Sequence, residues 1–253
     1  MCVKPYGVLN GKKLSKIIGG LTTQIDHFPS QVSLRWHEGH ICGGTIITEI
    51  HILTSASCVS FENNIFAGNI KILSGTDDQF DSFISDHLTE VTHVICHPNY
   101  DEQLHWINDI CILKLATSLI FDDKRRNVNI AMTYRRSGFY LSTGWGDSHD
   151  IVRNQDKRFL QVVESKVESQ ETCFNYFKNY NFGLISSQNC ATVTNKNAII
   201  EQGDGGAGLI NQNHGVDKTE GIISLILENK KNTFVYTKVW MYAEWIQSVI
   251  ENY

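Results

Sequence analysis

The sequence predicts an all-β fold that ends in one helix, and three patterns in the chain support this prediction. Between residues 31 and 115, short apolar runs rich in β-branched residues alternate with turns. A second set of such runs extends from residue 140 to residue 239. Short alternating runs of this kind are typical of strands in a sandwich or a barrel. Residues 238–253 instead place apolar side chains at helical spacing, which predicts an amphipathic helix packed on the second set of strands.

Composition narrows the class of protein. The chain has 253 residues, of which 42% are hydrophobic and 19% are charged, as in ordinary globular proteins. This length suits one large all-β unit or two small domains that share a core. The net charge of −5 is mild and no long single-sign run occurs, so we expect no nucleic-acid partner. No apolar run reaches the ~18 residues of a transmembrane helix, so we expect no membrane partner either.

The cysteines favour disulfides over metal. Seven are spread along the chain: Cys2, Cys42, Cys58, Cys96, Cys111, Cys173 and Cys190. No Cys-x-x-Cys pair occurs, so we expect neither a metal site nor a redox site, and no cofactor. Wide spacing suits disulfides, which are typical of secreted proteins. The odd count leaves at least one thiol over, and Cys111, in an apolar run, is expected to be a buried free thiol.

The start of the chain does not look like a secretion signal. Residues 1–7 lack the apolar core of a signal peptide. We therefore expect a secreted protein whose signal peptide is absent from this sequence.

One loop carries the clearest motif. Residues 202–209 read Gln-Gly-Asp-Gly-Gly-Ala-Gly-Leu. This loop resembles the nucleophile loop of the chymotrypsin/trypsin family of serine proteases, which reads Gly-Asp-Ser-Gly-Gly-Pro. Gly205 stands where that family has its serine, so the side-chain oxygen that attacks a carbonyl is missing. Gly203 is kept, which implies that one amide of the oxyanion hole survives as a vestige.

Two further motifs follow the order of the same family. Residues 53–58 resemble the segment that carries the general base, with Ser57 in place of the histidine. A hydroxyl is a poor base near neutral pH, because its pKa lies far from the operating pH. Residues 108–115 match the motif of the triad aspartate, here Asp109. We expect Asp109 to be a structural carboxylate whose partners are Ser57, Ser224 and backbone amides.

The resemblance implies a fold and its divisions. It implies two six-stranded antiparallel β-barrels, residues 17–130 and 131–253, that form one peptidase-like domain with a C-terminal α-helix. Residues 1–16 are then a propeptide-like segment. Cleavage after residue 16 would free the amino group of Ile17 to pair with Asp204. Two disulfides are implied as well: Cys42–Cys58 and Cys173–Cys190.

The specificity pocket of the family is expected to be blocked in this chain. Ile199 stands at the pocket floor. Leu225 and Ile226 stand in a wall segment that normally reads Ser-Trp-Gly, and Phe234 replaces a wall glycine. Large side chains at normally open positions should fill the slot.

The combined replacement of base, nucleophile and pocket resembles the inactivated serine protease paralogues of the scabies mite, relatives of the mite group 3 allergens. That resemblance implies secreted proteins that lack catalysis, bind host defence proteins and inhibit complement. We therefore predict a secreted pseudoprotease that is not an enzyme, with host complement components as its partners.

Two alternatives stay open. One is an inert, allergen-like protein without a specific partner. The other is a weak hydrolase with a rearranged centre, in which Ser57 is the nucleophile. The candidate bases for that centre are four histidines: His51, His87, His93 and His97.

A blocked cleft would direct partner binding to the outer surface, where loops on a rigid scaffold carry recognition. The most conspicuous charged surface lies on the connection between the two sets of strands. Its candidate binding residues are Lys124, Arg125, Arg126, Arg135 and Arg136.

Overall fold

The computed structural model contains two closed antiparallel β-barrels. It describes residues 20–37, 39–61, 64–65, 68–81, 85–133, 138–146, 158–178, 182–212, 216–226 and 232–253. The strands of the first half are β1 (Leu21–Thr22), β2 (Gln31–Trp36), β3 (Gly39–Ile46), β4 (His51–Thr54), β5 (Ser60–Phe61), β6 (Asn64–Ile65), β7 (Ile70–Ser74), β8 (Leu88–Cys96), β9 (Cys111–Leu115) and β10 (Asn129–Ile130). Those of the second half are β11 (Phe139–Gly144), β12 (Gln161–Val167), β13 (Gln188–Val193), β14 (Gly208–Asn211), β15 (Lys218–Ile226) and β16 (Thr233–Lys238).

Two α-helices and several short 3-10 helices accompany the strands. The α-helices are α1 (Gln170–Phe177) and α2 (Ala243–Asn252). Two of the 3-10 helices are Ala56–Cys58, which follows β4 after Ser55, and Val239–Tyr242, which directly precedes α2. No helix of the described residues is long and apolar enough to cross a membrane.

The first barrel closes in the strand order β2-β3-β4-β9-β8-β7. Its interior is filled by aliphatic side chains that alternate along the strands, as expected for period-two strands that face one core. Val32, Leu34, Ile52 and Ile72 are all fully buried there. Gly44 lies opposite Val32 in β3, and a Cβ at Gly44 would come within 2.8 Å of the Leu34 side chain.

The second barrel closes in the order β12-β11-β14-β15-β16-β13. Two short strands from the first half of the chain join it: β1 pairs with β12, and β10 pairs in parallel with β15. The prediction of two six-stranded antiparallel barrels is confirmed. The predicted division at residue 130 separates the two halves by their order along the chain. The strand pairings are different, because β1 and β10 come before residue 131 and yet pair with strands of the second barrel.

The predicted C-terminal helix is present, but its main contacts differ from those expected. Its apolar stripe, with Ile246 and Val249, lies in one buried cluster with Leu53 and Ile112 of the first barrel and Ile222 of the second. The helix therefore packs across both barrels rather than on the second alone. In the first barrel the contact comes from β4 and β9, which pair side by side and carry Leu53 opposite Ile112.

The disulfides correct one prediction. Cys42–Cys58 and Cys173–Cys190 are both formed, as the resemblance implied. The expectation of a free thiol at Cys111 is wrong, because Cys96 and Cys111 form a third disulfide. These two residues lie directly opposite each other in β8 and β9. Their pairing follows from a strand register that the sequence does not reveal.

Candidate functional site

Ser57, Asp109 and Ser224 meet where the two barrels face each other. Ser57 lies in the 3-10 helix after β4, which the Cys42–Cys58 disulfide ties to β3. Asp109 lies two residues before β9 and is completely buried. Its Oδ1 accepts from the Ser57 amide at 2.7 Å, and its Oδ2 accepts from the Ser57 hydroxyl at 2.9 Å and the Ser224 hydroxyl at 2.5 Å. The partners expected for Asp109 are those observed.

The surroundings of Asp109 change its acidity. Burial raises its pKa to about 6, while the hydrogen bonds from Ser224 and Ser57 act in the opposite direction. Burial disfavours the charged carboxylate, and each donated hydrogen bond favours it. The result is a carboxylate that is closer to neutrality than an exposed one and that is fully occupied by hydroxyl and amide donors.

The loop of residues 203–208 lies beside this group. The Gly43 amide donates to the Gly205 carbonyl at 2.8 Å, and the Gly206 amide donates to the Ile223 carbonyl at 2.8 Å. A Cβ at Gly205 would meet only the sulfurs of Cys42 and Cys58, both at 3.7 Å. The site therefore has room for a side chain at position 205, although glycine occupies it.

Gly203, which the resemblance implies as a vestige of an oxyanion hole, lies in a loop that, among the described residues, has two unused backbone amides. The oxyanion role itself stays a prediction. Within the part of the chain that the structure describes, the amides of Gly203 and Gly205 donate to no carbonyl or side chain. Two such amides close together can bind an oxygen that carries negative charge. The Gly203 backbone has a positive φ of 97°, a conformation that favours glycine.

From the sequence alone His40 had no predicted role, and the structure gives it one. Its Nε2 donates to the Gly203 carbonyl at 2.9 Å, so its Nδ1 accepts from the Ser33 hydroxyl at 2.8 Å. Burial lowers the pKa of His40 to about 4, and the nearby Arg35 charge acts in the same direction. His40 is therefore a neutral support that links β2 to the 203–205 loop. Its place two residues before Cys42 was the only signal available.

Asp204 belongs to the same loop, and its side chain is completely buried. Its Oδ1 accepts from the Gly146 amide and its Oδ2 from the Glu201 amide, both at 2.9 Å. Ile17 lies outside the described residues. The pairing of Ile17 with Asp204 therefore stays a prediction.

The residues assigned to the specificity pocket separate into different environments. Phe234 is 1% exposed and lies in one apolar cluster with Ala198 and Ile200, with Ile226 against it. Leu225 points to another cluster, which surrounds the Cys173–Cys190 disulfide. Ile199 is half-buried. Phe234 and Ile226 are thus the two assigned residues that share one buried region.

The structure does not bring the four candidate histidines to Ser57. His51 bonds to the Thr48 hydroxyl at 2.8 Å, and His93 contacts Thr92 and the ring of Tyr253. His97 packs against aromatic rings of the C-terminal segment, and His87 lies in the short helix Ser85–His87. In the part of the chain that the structure describes, the titratable group hydrogen-bonded to Ser57 is Asp109.

The basic connection is largely compensated by its own acids. Arg125 pairs with Asp122 at 3.4 Å, and its guanidinium also donates to the Asp86 carbonyl. Arg126 pairs with Asp123 at 3.5 Å. Arg135 and Arg136 lie outside the described residues. Lys124 and Arg126 are the exposed cations that the structure places on this loop.

Two facing β-barrels with an aspartate, a hydroxyl and a glycine-rich loop between them define the class of double-barrel serine protease folds. The trypsin family model matches residues 17–246. Venom serine protease 34 of Apis mellifera is 31% identical over 94% of this chain, and the chain spans 59% of that relative's length. Duodenase-1 of Bos taurus is 30% identical over 94% of this chain and 90% of its own length. Anionic trypsin of Canis lupus familiaris is 28% identical over 93% and 90%. The chain belongs to the trypsin family.

This membership corrects the prediction that the chain is not an enzyme. The family is one of proteases, and the similar proteins are named as proteases or trypsins, so the class of protein to which the chain belongs is a class of enzymes. The prediction reasoned from two missing side-chain groups, at positions 57 and 205, to the activity of the whole protein. The barrel interface, the Ser57–Asp109 hydrogen bond and the two amides of the loop are all still present.

Proposed function

We propose that this trypsin-family chain is secreted and acts by binding target proteins through its outer surface, with components of the host complement system as the targets. The observation that carries the proposal is the occupied state of Asp109. Three donated hydrogen bonds from Ser57 and Ser224 satisfy its carboxylate. A buried carboxylate that is satisfied internally stabilises the interface between the barrels and is poorly placed to meet a partner.

Other features support binding at the outer surface. Phe234 is buried in the second barrel with Ile226 against it, so recognition by a deep slot is disfavoured. Three disulfides brace the barrels, as is typical of secreted proteins, and trypsin-like proteins are typically secreted. The resemblance to the scabies mite serine protease paralogues supports complement as the target.

The test is direct binding to complement. The purified chain is immobilised, exposed to human serum, and its bound proteins are identified by mass spectrometry. Purified complement components are then measured by surface plasmon resonance. We expect saturable binding to at least one component. The proposal would be refuted if no complement protein were captured from serum and no purified complement component bound in the resonance assay.

The same assay tests the basic connection as the binding surface. Charge reversal of Lys124 and Arg126 should slow association and weaken its dependence on salt, because exposed charges act mainly on the association rate. Arg125 is left unchanged, because its side chain holds the loop to the first barrel. Unchanged association kinetics in this variant would remove the basic connection from consideration.

A second candidate function is hydrolysis of reactive esters with Ser57 as the attacking group. It is favoured by the 2.9 Å hydrogen bond from the Ser57 hydroxyl to Asp109 and by the enzymes of the family. Labelling with a serine-directed fluorophosphonate tests it. Stoichiometric label that disappears in Ser57→Ala and persists in Ser60→Ala supports this function. Equal labelling of both variants excludes Ser57.

A further inference from the structure

Two exposed phenylalanines and one arginine form a compact surface feature at the seam between the barrels. Phe80 comes from the loop after β7, and Arg158 and Phe159 lie three and two residues before β12. The Arg158 guanidinium lies 5.8 Å from the centre of the Phe80 ring and 5.2 Å from that of Phe159. The two rings are 38% and 40% exposed. We call Phe80, Arg158 and Phe159 the seam platform.

The seam platform is held rigidly from below. Asp78 and Phe159 form an antiparallel bridge, and the Gln79 amide donates to the Arg158 carbonyl at 3.0 Å. The Asp78 Oδ2 accepts from both Nε and Nη2 of Arg158, at 2.7 and 2.5 Å. The other oxygen of Asp78 accepts from the Phe80 amide at 3.0 Å. One buried carboxylate thus fixes the backbone of Phe80 and the side chain of Arg158.

Aromatic and arginine side chains that are fixed before binding lose little entropy on contact, and these residue types dominate the energetic centres of protein interfaces. The Arg158 guanidinium lies within cation–π distance of both rings, which holds the three side chains together. The rings form no part of the Ser57–Asp109 group or of the basic connection.

The charges around the seam platform indicate what kind of partner fits. Asp78 compensates Arg158. Asp77 and Asp81 are half-buried and lie on either side of Asp78 and Phe80 in the same loop, and Asp81 acts electrostatically on Arg158. Arg35, which bonds to the Gln79 carbonyl, is buried beneath the loop and does not face outward. Among the described residues, three carboxylates of this loop (Asp77, Asp78 and Asp81) stand against the partly exposed Arg158, so the net charge of the seam platform and its loop is negative.

We infer that the seam platform is a docking surface for a positively charged, apolar-containing peptide segment of a protein partner, which rests on the proposed protein-binding function. Apolar side chains of the segment contact Phe80 and Phe159, and its lysine or arginine side chains lie near Asp77 and Asp81. Charge complementarity of this kind speeds association and fixes the register of the bound segment.

Two capped hexapeptides test this surface: one alternates lysine with leucine, and the other alternates glutamate with leucine. Each is titrated into the 15N-labelled chain, and backbone amide shifts are followed by NMR at low salt. We expect the lysine peptide to shift the amides of Phe80, Asp81 and Phe159, and the glutamate peptide to leave them unchanged. Equal effects of the two peptides, or lysine-peptide shifts that avoid these amides, would overturn the assignment.

Matched variants separate the rings from the charges. The Phe80→Ala/Phe159→Ala pair should weaken lysine-peptide affinity about tenfold or more, as expected when energetic centres are truncated. The control replaces Phe139 and Phe174, which are 57% and 50% exposed at other places on the second half of the chain. It should bind as the unmodified chain does. Equal loss in both pairs would contradict the proposal.

A third variant, Asp77→Asn/Asp81→Asn, keeps the rings and removes the charges. Its affinity should fall at low salt and become nearly independent of salt. Binding that keeps its full salt dependence would overturn the electrostatic part of the proposal.

The peptide assay and the complement assay fail separately. A chain that binds the lysine peptide at the seam platform but binds no complement component overturns the proposed function and leaves the docking surface standing. Complement binding that is unchanged by the Phe80→Ala/Phe159→Ala pair, together with no lysine-peptide binding, overturns the docking surface and leaves the function standing.

Discussion

Protonation of His40 should make the fold sensitive to acid. In the folded chain burial lowers the pKa of His40 to about 4, whereas the unfolded chain has the ordinary value of 6.5. Between pH 6.5 and pH 4, His40 is mostly protonated in the unfolded chain and mostly neutral in the folded chain. Stability is therefore lost as the pH falls from 6.5 towards 4. The two pKa values give a loss of about 2 kcal/mol in the free energy of unfolding between pH 7.5 and pH 5.

The perturbation is His40→Gln, which keeps a donor for the Gly203 carbonyl but has no group that titrates. Urea unfolding followed by tryptophan fluorescence gives the free energy of unfolding of both proteins from pH 7.5 to pH 4.5. The stability of the unmodified chain minus that of the variant should fall by about 2 kcal/mol between pH 7.5 and pH 5. The control is His93→Gln, on the surface beside Tyr253. A difference that stays constant for His40→Gln, or that matches the control, would refute the reasoning.

Three other predictions use the same unfolding assay. The pKa of Asp109 is raised to about 6 in the folded chain, so protonation of this carboxyl stabilises the fold. The stability of the unmodified chain minus that of the Asp109→Asn variant should therefore rise by about 1 kcal/mol from pH 7.5 to pH 5. A fall in this difference would contradict the raised pKa. Gly205→Ala should change stability by less than about 1 kcal/mol. The Gly206→Ala variant should lose more than about 2 kcal/mol of its free energy of unfolding, because φ is 78° at this position and the new Cβ would lie 2.2 Å from a threonine hydroxyl. Equal losses in the Gly205→Ala and Gly206→Ala variants would show that the loop geometry is wrong. Cys96 and Cys111 should not react with N-ethylmaleimide in the unreduced, denatured chain, and alkylation of either residue would exclude the disulfide. Replacing both by alanine should lower the free energy of unfolding by about 3 kcal/mol, as for a cross-link that closes a loop of this length.

The sequence predicted those features that depend on local pattern. Alternating apolar runs predicted strands of a sandwich or a barrel, and the resemblance to the protease family specified two barrels. The spacing of Ile246 and Val249 predicted the terminal helix. The Asn108-Asp109 motif located the buried carboxylate, because that motif immediately precedes an apolar strand. Its partners Ser57 and Ser224 lie 52 and 115 residues away, and they were expected from the resemblance to the family rather than from the local pattern.

Features that depend on register and on distant pairing were not predictable in this way. The Cys96–Cys111 disulfide requires that two strands align at one particular residue. The cluster of Phe80 with Arg158 requires that loops from the two halves of the chain form a bridge. A single sequence states neither relation, since a shift of one residue along a strand would leave the apolar pattern of that strand recognisable while moving every partner.

The pairing of β1 with β12 has a consequence for biosynthesis. Leu21 lies opposite Val162, and the Thr23 amide donates to the Leu160 carbonyl, so the start of the described chain finds its partners only in the second half. A ribosome releases these partners some 140 residues later, which takes about 7 to 28 seconds at ordinary rates of synthesis. During that interval the first barrel can close on its own six strands, while residues 20–23 have no strand to join. The sheet of the second barrel is therefore completed late, at or near the end of synthesis. A chain truncated before residue 160 cannot form the pairing between β1 and β12.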